Sequence, residues 1–509
     1  MNEGPSMSLI EALQNPALYD HPVQGFRVME THISWVLLTG SYAYKIKKPV
    51  DLGFLDFSTL ERRRHDCEEE LRLNRRLAPA LYLAVVPITG SAASPVLGGE
   101  GRVIEYAVKM REFPQDAQLD RVLDRGELQG EHISRLAQTV SEFHARASVA
   151  AAESPFGSAE LLWQPVLQNF EQIRPHLDND EDRELLDKLQ AWSEQTHGRL
   201  TAVWQTRKRD GFIRECHGDM HLGNMALVDG EVIIFDCLEF NERLRWIDVM
   251  SEVAFVTMDL YDRGRPGLAH RFLNDYLQHS GDYEGLRVLR FYQVYRALVR
   301  AKVACIRLTQ EGISETERAA ARTHYRQYLR LAERYTHPIP TPLIITHGLS
   351  GSGKTTISDA LLESSGAVRV RSDVERKRLF GLSAEARSGS GVATGLYSPD
   401  ATARAYERLA ALARTIITAG FPAIVDAAFL QHQQREQFRD LAERLQVPFV
   451  IFHCSTSPER LRRRVQQRTS QGHDASEANL QVLEHQLLTQ DPLRADEAMH
   501  IFTIDTGTA

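Results

Sequence analysis

Gly348-Leu349-Ser350-Gly351-Ser352-Gly353-Lys354-Thr355 fits the pattern GxxxxGK[ST] at every fixed position, and no other stretch narrows the possible folds so far. Its glycines let successive backbone N–H groups turn toward one anion, and this works only where a buried strand delivers the loop and a helix leaves it. Both neighbours are present: Leu343–Thr346 is apolar and β-prone, and TTISDALLES has helical spacing. Lys354 is placed to reach terminal phosphates, a binding and a catalytic role, and Thr355 to ligate magnesium. Gly348, Ser350, Gly351, Ser352, Gly353 and Thr356 complete the phosphate cradle.

Downstream of Pro342, short apolar runs alternate with helical ones: PLIITHG, AVRVRSD, PAIVDAAF, PFVIFHC and HIFTID. Alternation of this kind predicts a parallel sheet with helices on its faces. Asp373 closes the second run, where a carboxylate faces an acceptor hydroxyl near the terminal phosphate. Asp426 ends the strand Pro422–Val425, placed to hold a magnesium-bound water. Arg464 and Arg468, four apart on one predicted helix, point at one phosphate-bearing site. A strand-end Asp also serves as a helix cap and an arginine pair as plain surface, so the set says more than any member.

A second phosphate-handling pattern lies upstream, in ECHGDMHLGNMALVDGEVIIFDCLEF from Glu215 to Phe240. Asp219, Asn224 and, after the apolar run Val232–Phe235, Asp236 supply one carboxylate to orient a hydroxyl and an amide with a second carboxylate to hold magnesium. Ahead of it, Ser34–Lys47 reads as a hairpin turning at Thr39-Gly40-Ser41, with Lys45 and Lys47 on one strand face. Ser58-Thr59-Leu60-Glu61 reads as a capping box opening a helix to about Leu77, and Tyr82–Ile88 and Val103–Met110 read as strands. From Gly130 the pattern is helical. One helix is expected to begin near Arg243, with two more filling the region to Tyr335.

At 509 residues the chain exceeds one core, and two or three domains are expected. Three prolines in Thr336–Pro342 mark the best boundary. The expected division is 1–335, with a β-rich lobe at about 25–112 and a helical lobe at about 113–335, then a Pro-rich linker at 336–342 and a last domain at 343–509. A net charge of -8 argues against nucleic acid or an anionic membrane as partner. Five scattered cysteines without metal-ligand spacing, an N-terminus unlike a secretory signal and no apolar run of roughly 18 residues point to a cytoplasmic protein.

The segment from about Pro342 resembles the small P-loop kinases typified by gluconate kinase, polynucleotide 5′-kinase and zeta toxin. The likeness rests on the P-loop, Ser372-Asp373-Val374-Glu375-Arg376-Lys377-Arg378-Leu379, the strand ending Val425-Asp426-Ala427 and the Arg-rich lid. It implies Asp373 as catalytic base and Arg464 and Arg468 as phosphate clamps.

HGDMHLGN, His217 to Asn224, resembles the HGDxxxxN loop of the aminoglycoside phosphotransferase and choline kinase group, a small-molecule branch of the protein-kinase-like fold, over roughly residues 25 to 335. That resemblance implies Asp219 as base or hydroxyl-orienting residue and Asn224 and Asp236 as magnesium ligands, with His221 either facing the cleft or serving as scaffold. It implies that Lys45 contacts the α/β-phosphates and pairs with Glu70 rather than Glu68 or Glu69, Lys47 being the alternative. Asp248 is expected to accept backbone N–H bonds from the catalytic loop, and Glu105–Arg111 to lead to an adenine-binding hinge near Met110. The glycine-rich turn usual over the phosphates is reduced here to Gly40-Ser41. Through ETHISWVLLTGSYAYKIKKPVDLGFLDF the whole chain resembles bacterial two-domain proteins that fuse such a domain to an ATP-binding P-loop domain.

The expected fold is therefore an α+β protein-kinase-like bilobal domain followed by an α/β P-loop NTPase domain with a parallel sheet. The expected function is phosphotransfer at two sites using ATP and Mg²⁺, each to a small-molecule hydroxyl. A ligand-binding degenerate kinase domain regulating a switch ATPase is the alternative, and polynucleotide 5′-kinase activity in the second domain is the third reading.

Overall fold

Two adjacent strands, each buried along most of its length, fix the first half of the molecule. In the computed structural model, which describes residues 7–51, 53, 55–309, 312–384, 386, 394–471 and 478–507, β1 (Arg27–Glu30), β2 (Ser34–Leu38) and β3 (Tyr42–Lys47) form an antiparallel meander. With β4 (Tyr82–Ser91), β5 (Ser94–Leu97) and β6 (Val103–Arg111) they make one sheet in the order β1-β2-β3-β6-β4-β5. Tyr44 and Ile46 pack on one face with Leu9, Ile10 and Leu13, which leaves Lys45 and Lys47 on the other.

That second face is covered by α1 (Leu60–Asn74), whose Cys67 packs with Tyr82 and Val108. The helix is capped one residue later than the sequence suggested: Thr59 accepts from the Arg62 N–H at 3.3 Å, while Ser58 bonds Asp56. Two adjacent hydroxyls compete for one cap, and the Asp56 carboxylate decides between them. The helix ends at Asn74 rather than Leu77.

Two further hairpin-like pairs carry the motif loop. β7 (Ile213–Glu215) precedes it, β8 (Met225–Val228) and β9 (Glu231–Ile234) follow it, and β10 (Trp246–Asp248) pairs back on β7. The helix expected from Arg243 is thus broken; only α2 (Val249–Asp262) is continuous, because Trp246–Asp248 is taken up by pairing with β7. These elements fall in one compact unit, Met1–Arg135, Glu142–Pro165 and Trp204–Asp259.

The other unit comprises Leu136–Ser141, Val166–Val203 and Leu260–Ala509. Between Asp262 and the proline stretch, among the described residues, lie three α-helices rather than two: α3 (Pro266–Ser280), α4 (Leu286–Arg307) and α5 (Glu315–Thr336). Beyond them β11 (Leu343–His347), β12 (Val368–Arg371), β13 (Ala423–Asp426), β14 (Phe449–Ser455) and β15 (Ile501–Asp505) form an all-parallel sheet in the order β12-β13-β11-β14-β15. Its core strands are buried along their whole length, as a sheet covered on both faces requires.

α3, upstream of the proline stretch, belongs to this same unit and closes the sheet's edge. The Asn274 amide donates to Ala367 O at 3.1 Å and accepts from the Arg369 N–H at 2.7 Å, so one side chain imitates a neighbouring strand on β12. Gly366 beside it has a left-handed φ of 72°, and a Cβ there would lie 2.9 Å from the His270 ring.

Candidate functional site

In the first unit β3, α1 and the segment after β9 converge on one charged cluster. Lys45 Nζ lies 2.9 Å from Glu70 Oε1, the helix acid expected of it, and 2.6 Å from Asp236 Oδ1, the expected metal ligand. Glu68 and Glu69 instead pair with Arg64 and Arg72 along the helix surface. Lys47 donates to Glu70 Oε2 at 2.7 Å and to Glu239, and it is 1% exposed. Burial pushes the Glu70 carboxyl up, but the two ammonium groups outweigh it and hold it at about 2. Burial wins at Glu239, whose carboxyl is raised.

Asp236 has a left-handed φ of 64° and is 44% exposed, the open member of the cluster. Its N–H donates to the buried Tyr82 hydroxyl at 3.2 Å, and the next N–H donates to Asn74 Oδ1 at 2.9 Å, so α1 and β4 both locate it. Asn224 donates to Asp219 Oδ2 at 3.0 Å, which turns its amide oxygen away from that carboxylate. Asp219, Asn224 and Asp236 are tied by a Phe235 N–H to Asn224 O bond of 2.9 Å. A carboxylate and an amide oxygen are the hard donors that Mg²⁺ takes.

The loop itself is braced from beneath. His217 donates through Nε2 to Phe235 O at 2.9 Å, and burial lowers its pKa. The Gly218 N–H donates to Glu252 Oε1 at 2.5 Å, and Glu252 Oε2 lies 3.0 Å from His144 Nε2. Leu222 N–H donates to Asp259 Oδ2 at 2.9 Å. Gly218 has φ 92°, and a Cβ there would meet Leu244 O at 2.9 Å. His221 Nδ1 accepts from the Gly223 N–H at 3.1 Å, which leaves the proton on Nε2, 3.4 Å from Asp219 Oδ2.

Asp248 does not brace the loop. Its carboxylate takes a bidentate bond from Arg207, at 2.6 and 2.8 Å, and caps α2 at the Met250 N–H. An arginine fork and a helix start satisfy it fully, and Glu252 and Asp259 do the work assigned to it. These two acids carry no motif signal: they lie 34 and 37 residues beyond their partners, on a helix.

The small-lobe turn over the lysine end is also different from the one expected. Tyr42 faces Arg111 in the ladder and Lys47 faces Ser34, so Gly40-Ser41 lies at the hinge end, beside Met110 and Arg111. There the Thr39 and Gly40 N–H groups donate to Glu112, at 3.1 and 2.8 Å. The turn at the lysine end is the β1–β2 connection, Thr31-His32-Ile33, which has no glycine and is tied by Thr31 Oγ1 accepting from Ser34 N–H at 3.0 Å. Reading RVME as a strand would have found it.

In the second unit the P-loop joins β11 to α6 (Lys354–Ser365). Gly348, Gly351 and Gly353 have φ of 149°, 82° and 86°, and a Cβ on Gly348 would lie 2.6 Å from Cys454 O. Such a cradle of amides has room for an anion only while those positions are glycine. Ser350 takes Gln486 on its N–H, and the Ser352 carbonyl accepts from Thr506 Oγ1 at 2.9 Å. Lys354 Nζ donates to Gly348 O and Leu349 O, both at 2.9 Å, and burial lowers its pKa against the opposing charge of Asp426.

Asp426 Oδ2 accepts from Thr355 Oγ1 at 3.1 Å and from Ser358 Oγ at 3.2 Å. Thr356 follows on the first turn of the helix. Asp373 is the second residue of α7 (Ser372–Leu379), and its carboxylate has no hydrogen-bond partner among the described residues. Arg464 on α8 (Pro458–Gln471) donates to Thr506 O at 2.7 Å and Thr506 Oγ1 at 3.2 Å and reaches Gly351 O at 3.4 Å, so its guanidinium braces the segment after β15 against the loop. Arg468 donates to Ala478 O at 2.9 Å, and its charge is felt at Lys354.

A protein-kinase-like cleft and, after it, a P-loop on a parallel sheet define a phosphotransferase-type protein of two parts. The phosphotransferase enzyme family matches residues 53–292 and an AAA domain matches residues 343–493. Uncharacterized proteins of Mycobacterium tuberculosis (strain H37Rv) and Mycobacterium bovis are each 30% identical over 462 residues, covering 90% of this chain and 89% of theirs. The chain belongs to their family, and in this chain an aminoglycoside phosphotransferase-like domain at 53–292 is followed by a P-loop kinase domain at 343–493.

Among solved structures, an amicoumacin kinase in complex with AMP-PNP and Ca²⁺ is 13% identical, covering 65% of this chain and 94% of that one, with TM-score 0.41. A gluconokinase from Sinorhizobium meliloti is 23% identical, covering 33% and 84%, with TM-score 0.23. A choline/ethanolamine kinase family protein from Mesorhizobium loti is 11% identical, covering 64% and 100%, with TM-score 0.38. Among the described residues no helix is long and apolar enough to cross a membrane.

Proposed function

We propose that the chain is a kinase with two ATP- and Mg²⁺-dependent sites, each transferring a γ-phosphate to a small-molecule hydroxyl. The observation that carries this reading is the convergence of Lys45, Glu70 and Asp236, from three separate elements, beside Asp219 and Asn224. Buried lysine and glutamate at this density are costly unless used, and no packing need selects the open Asp236 carboxylate.

In the first site Asp219 orients the acceptor hydroxyl, Asn224 and Asp236 hold the metal, and Lys45 and the hinge near Met110 hold the nucleotide. In the second, Asp373 takes the hydroxyl proton, Lys354 and the loop amides hold the phosphates, and Thr355 with Asp426 holds the metal. Bound Mg²⁺ supplies charge neutralisation on the phosphate oxygens; the protein supplies position, which is most of what phosphoryl transfer needs. Arg464 holds the loop in shape, and Arg468, whose charge is felt at Lys354, adds positive charge at the phosphate end. Five buried cysteines without a disulfide support a cytoplasmic setting.

ADP release by the full chain tests this against sugars, amino sugars, aminoglycosides, nucleosides and 5′-hydroxyl oligonucleotides, with Asp219→Asn and Lys354→Ala assayed separately. Each substitution is expected to remove a different acceptor-dependent activity. The glycine-free turn Thr31–Ile33 favours one second reading, a first domain that only binds ligand and regulates a P-loop ATPase. That reading wins if Asp219→Asn changes no acceptor-dependent rate and Lys354→Ala abolishes all turnover. Saturable, Lys354-dependent turnover of oligonucleotides would instead mark the second site as a polynucleotide kinase.

A further inference from the structure

A kinase cleft needs one lysine on this strand, and here there are two on the same face. Only Lys45 reaches the open Asp236 carboxylate. Lys47 is enclosed between Glu70 on α1, Glu239 three residues beyond Asp236, and the Phe57 ring, whose centroid is 4.8 Å from Nζ. Glu70 is divided between them, one oxygen to each ammonium. Glu239 is held in turn, because Arg245 donates to its backbone carbonyl at 2.9 Å.

The cluster balances only when all four inner members are present. Two ammonium groups face two fully buried carboxylates, Glu70 and Glu239, and Asp236 remains as the surplus negative charge, exposed to whatever cation enters the cleft. Removing Lys47 would leave Lys45 as the sole ammonium for three carboxylates and would free Glu239 and the Asp236 segment it anchors to move relative to the helix.

We propose that Lys47 and Glu239 form a positioning clamp that fixes α1 to the Asp236 segment, so that the metal-binding carboxylate keeps its place when Lys45 releases it to bind nucleotide. This rests on the reading of the cleft as a nucleotide site. Neither residue touches the reacting atoms; Lys47 acts through Glu70, and Glu239 through the chain that carries Asp236. The clamp makes the assembled arrangement of helix and Asp236 segment the resting state, with no separate switch to close it.

The test uses the full chain carrying Lys354→Ala, which removes the second site's contribution, and follows thermal stabilisation by AMP-PNP and Mg²⁺. Lys47→Met and Glu239→Gln are each expected to raise the Mg²⁺ concentration for half-maximal stabilisation by about ten-fold, with the AMP-PNP requirement at saturating Mg²⁺ little changed. Lys45→Met is expected to do the reverse. An unchanged Mg²⁺ midpoint in folded Lys47→Met, or equal rises in both requirements, overturns the clamp. Where Lys47→Met does not fold, Glu239→Gln, which keeps an oxygen for Lys47, is judged by the same criterion. If Lys45→Met and Asp236→Asn also leave binding untouched, the nucleotide reading of the cleft falls and takes the clamp with it. If only the Lys47 and Glu239 variants do, the clamp falls alone.

Discussion

The Glu252 carboxylate accepts the Gly218 N–H at 2.5 Å with one oxygen and meets His144 with the other at 3.0 Å, all three groups being buried. Burial pushes Glu252 up, yet His144, His217 and the Gly218 amide outweigh it and lower its pKa. Truncation to Glu252→Ala strands an amide and an imidazole. A loss of about 3–5 kcal/mol in urea unfolding is expected, against about 1–3 kcal/mol for Glu252→Gln, which keeps an acceptor. Equal losses for the two would mean that the acid is there only for its volume.

Glu70 makes the first unit sensitive to acid. Its carboxyl is held at about 2 in the folded chain against an ordinary 4.5, so its stabilisation is complete above the ordinary value and disappears as pH falls toward about 2. The stability gap between the native chain and Glu70→Gln is expected to be a few kcal/mol at neutral pH, on the order set by a shift of this size, and to close progressively below about pH 4.5. A gap that is constant from pH 6 to about pH 3 would show that the carboxylate charge contributes nothing.

Gly348→Ala should disable the P-loop without touching its lysine. A methyl group at this position meets Cys454 O and Ser352 Oγ, both at 2.6 Å, in a conformation that L side chains rarely adopt. Either the loop shifts, or the strain of about 1–3 kcal/mol appears in unfolding. ATP-induced stabilisation that depends on Lys354 should be lost in both cases; its retention would sink the proposed cradle.

Asn274→Ala removes the side chain that stands in for a strand beside β12. Two backbone groups, Ala367 O and the Arg369 N–H, lose their partners at about 1–3 kcal/mol for the buried unsatisfied pair. Amide exchange over 366–371 should quicken while that over β11 stays slow. Uniform exchange across both strands would show that the amide is ornamental.

Much of this was legible because it is local. Period-two alternation put Lys45 and Lys47 on one face, and the spacing of Asp219, Asn224 and Asp236 survives folding because a single turn joins the first two and the β8–β9 hairpin the last two. The alternating strands after Pro342 likewise gave a parallel sheet, since helices between strands leave no other pairing. What was hidden is non-local or poor in pattern. β1 has an exposed, charged sequence and shows itself only by pairing with β2. β10 lies in a run with helical spacing and is strand only because β7 has an edge to offer. Lys47 could be named as a candidate, but its second partner, Glu239, is 192 residues away and meets it only once the lobe has formed around them.

Thr506 shows why a poorly covered strand is kept. β15 lies at the sheet's edge with Phe502 59% exposed, and Met499 just ahead of it is 83% exposed. Yet the residue that follows it donates to Ser352 O, receives Arg464, and packs its methyl 3.3 Å from where a Cβ on Gly353 would stand. Local fraying begins where apolar burial is thin. The edge strand can therefore open well before the sheet melts, and each opening withdraws the support behind the phosphate loop. The second site should lose its grip on nucleotide at temperatures where the rest of that unit is still native.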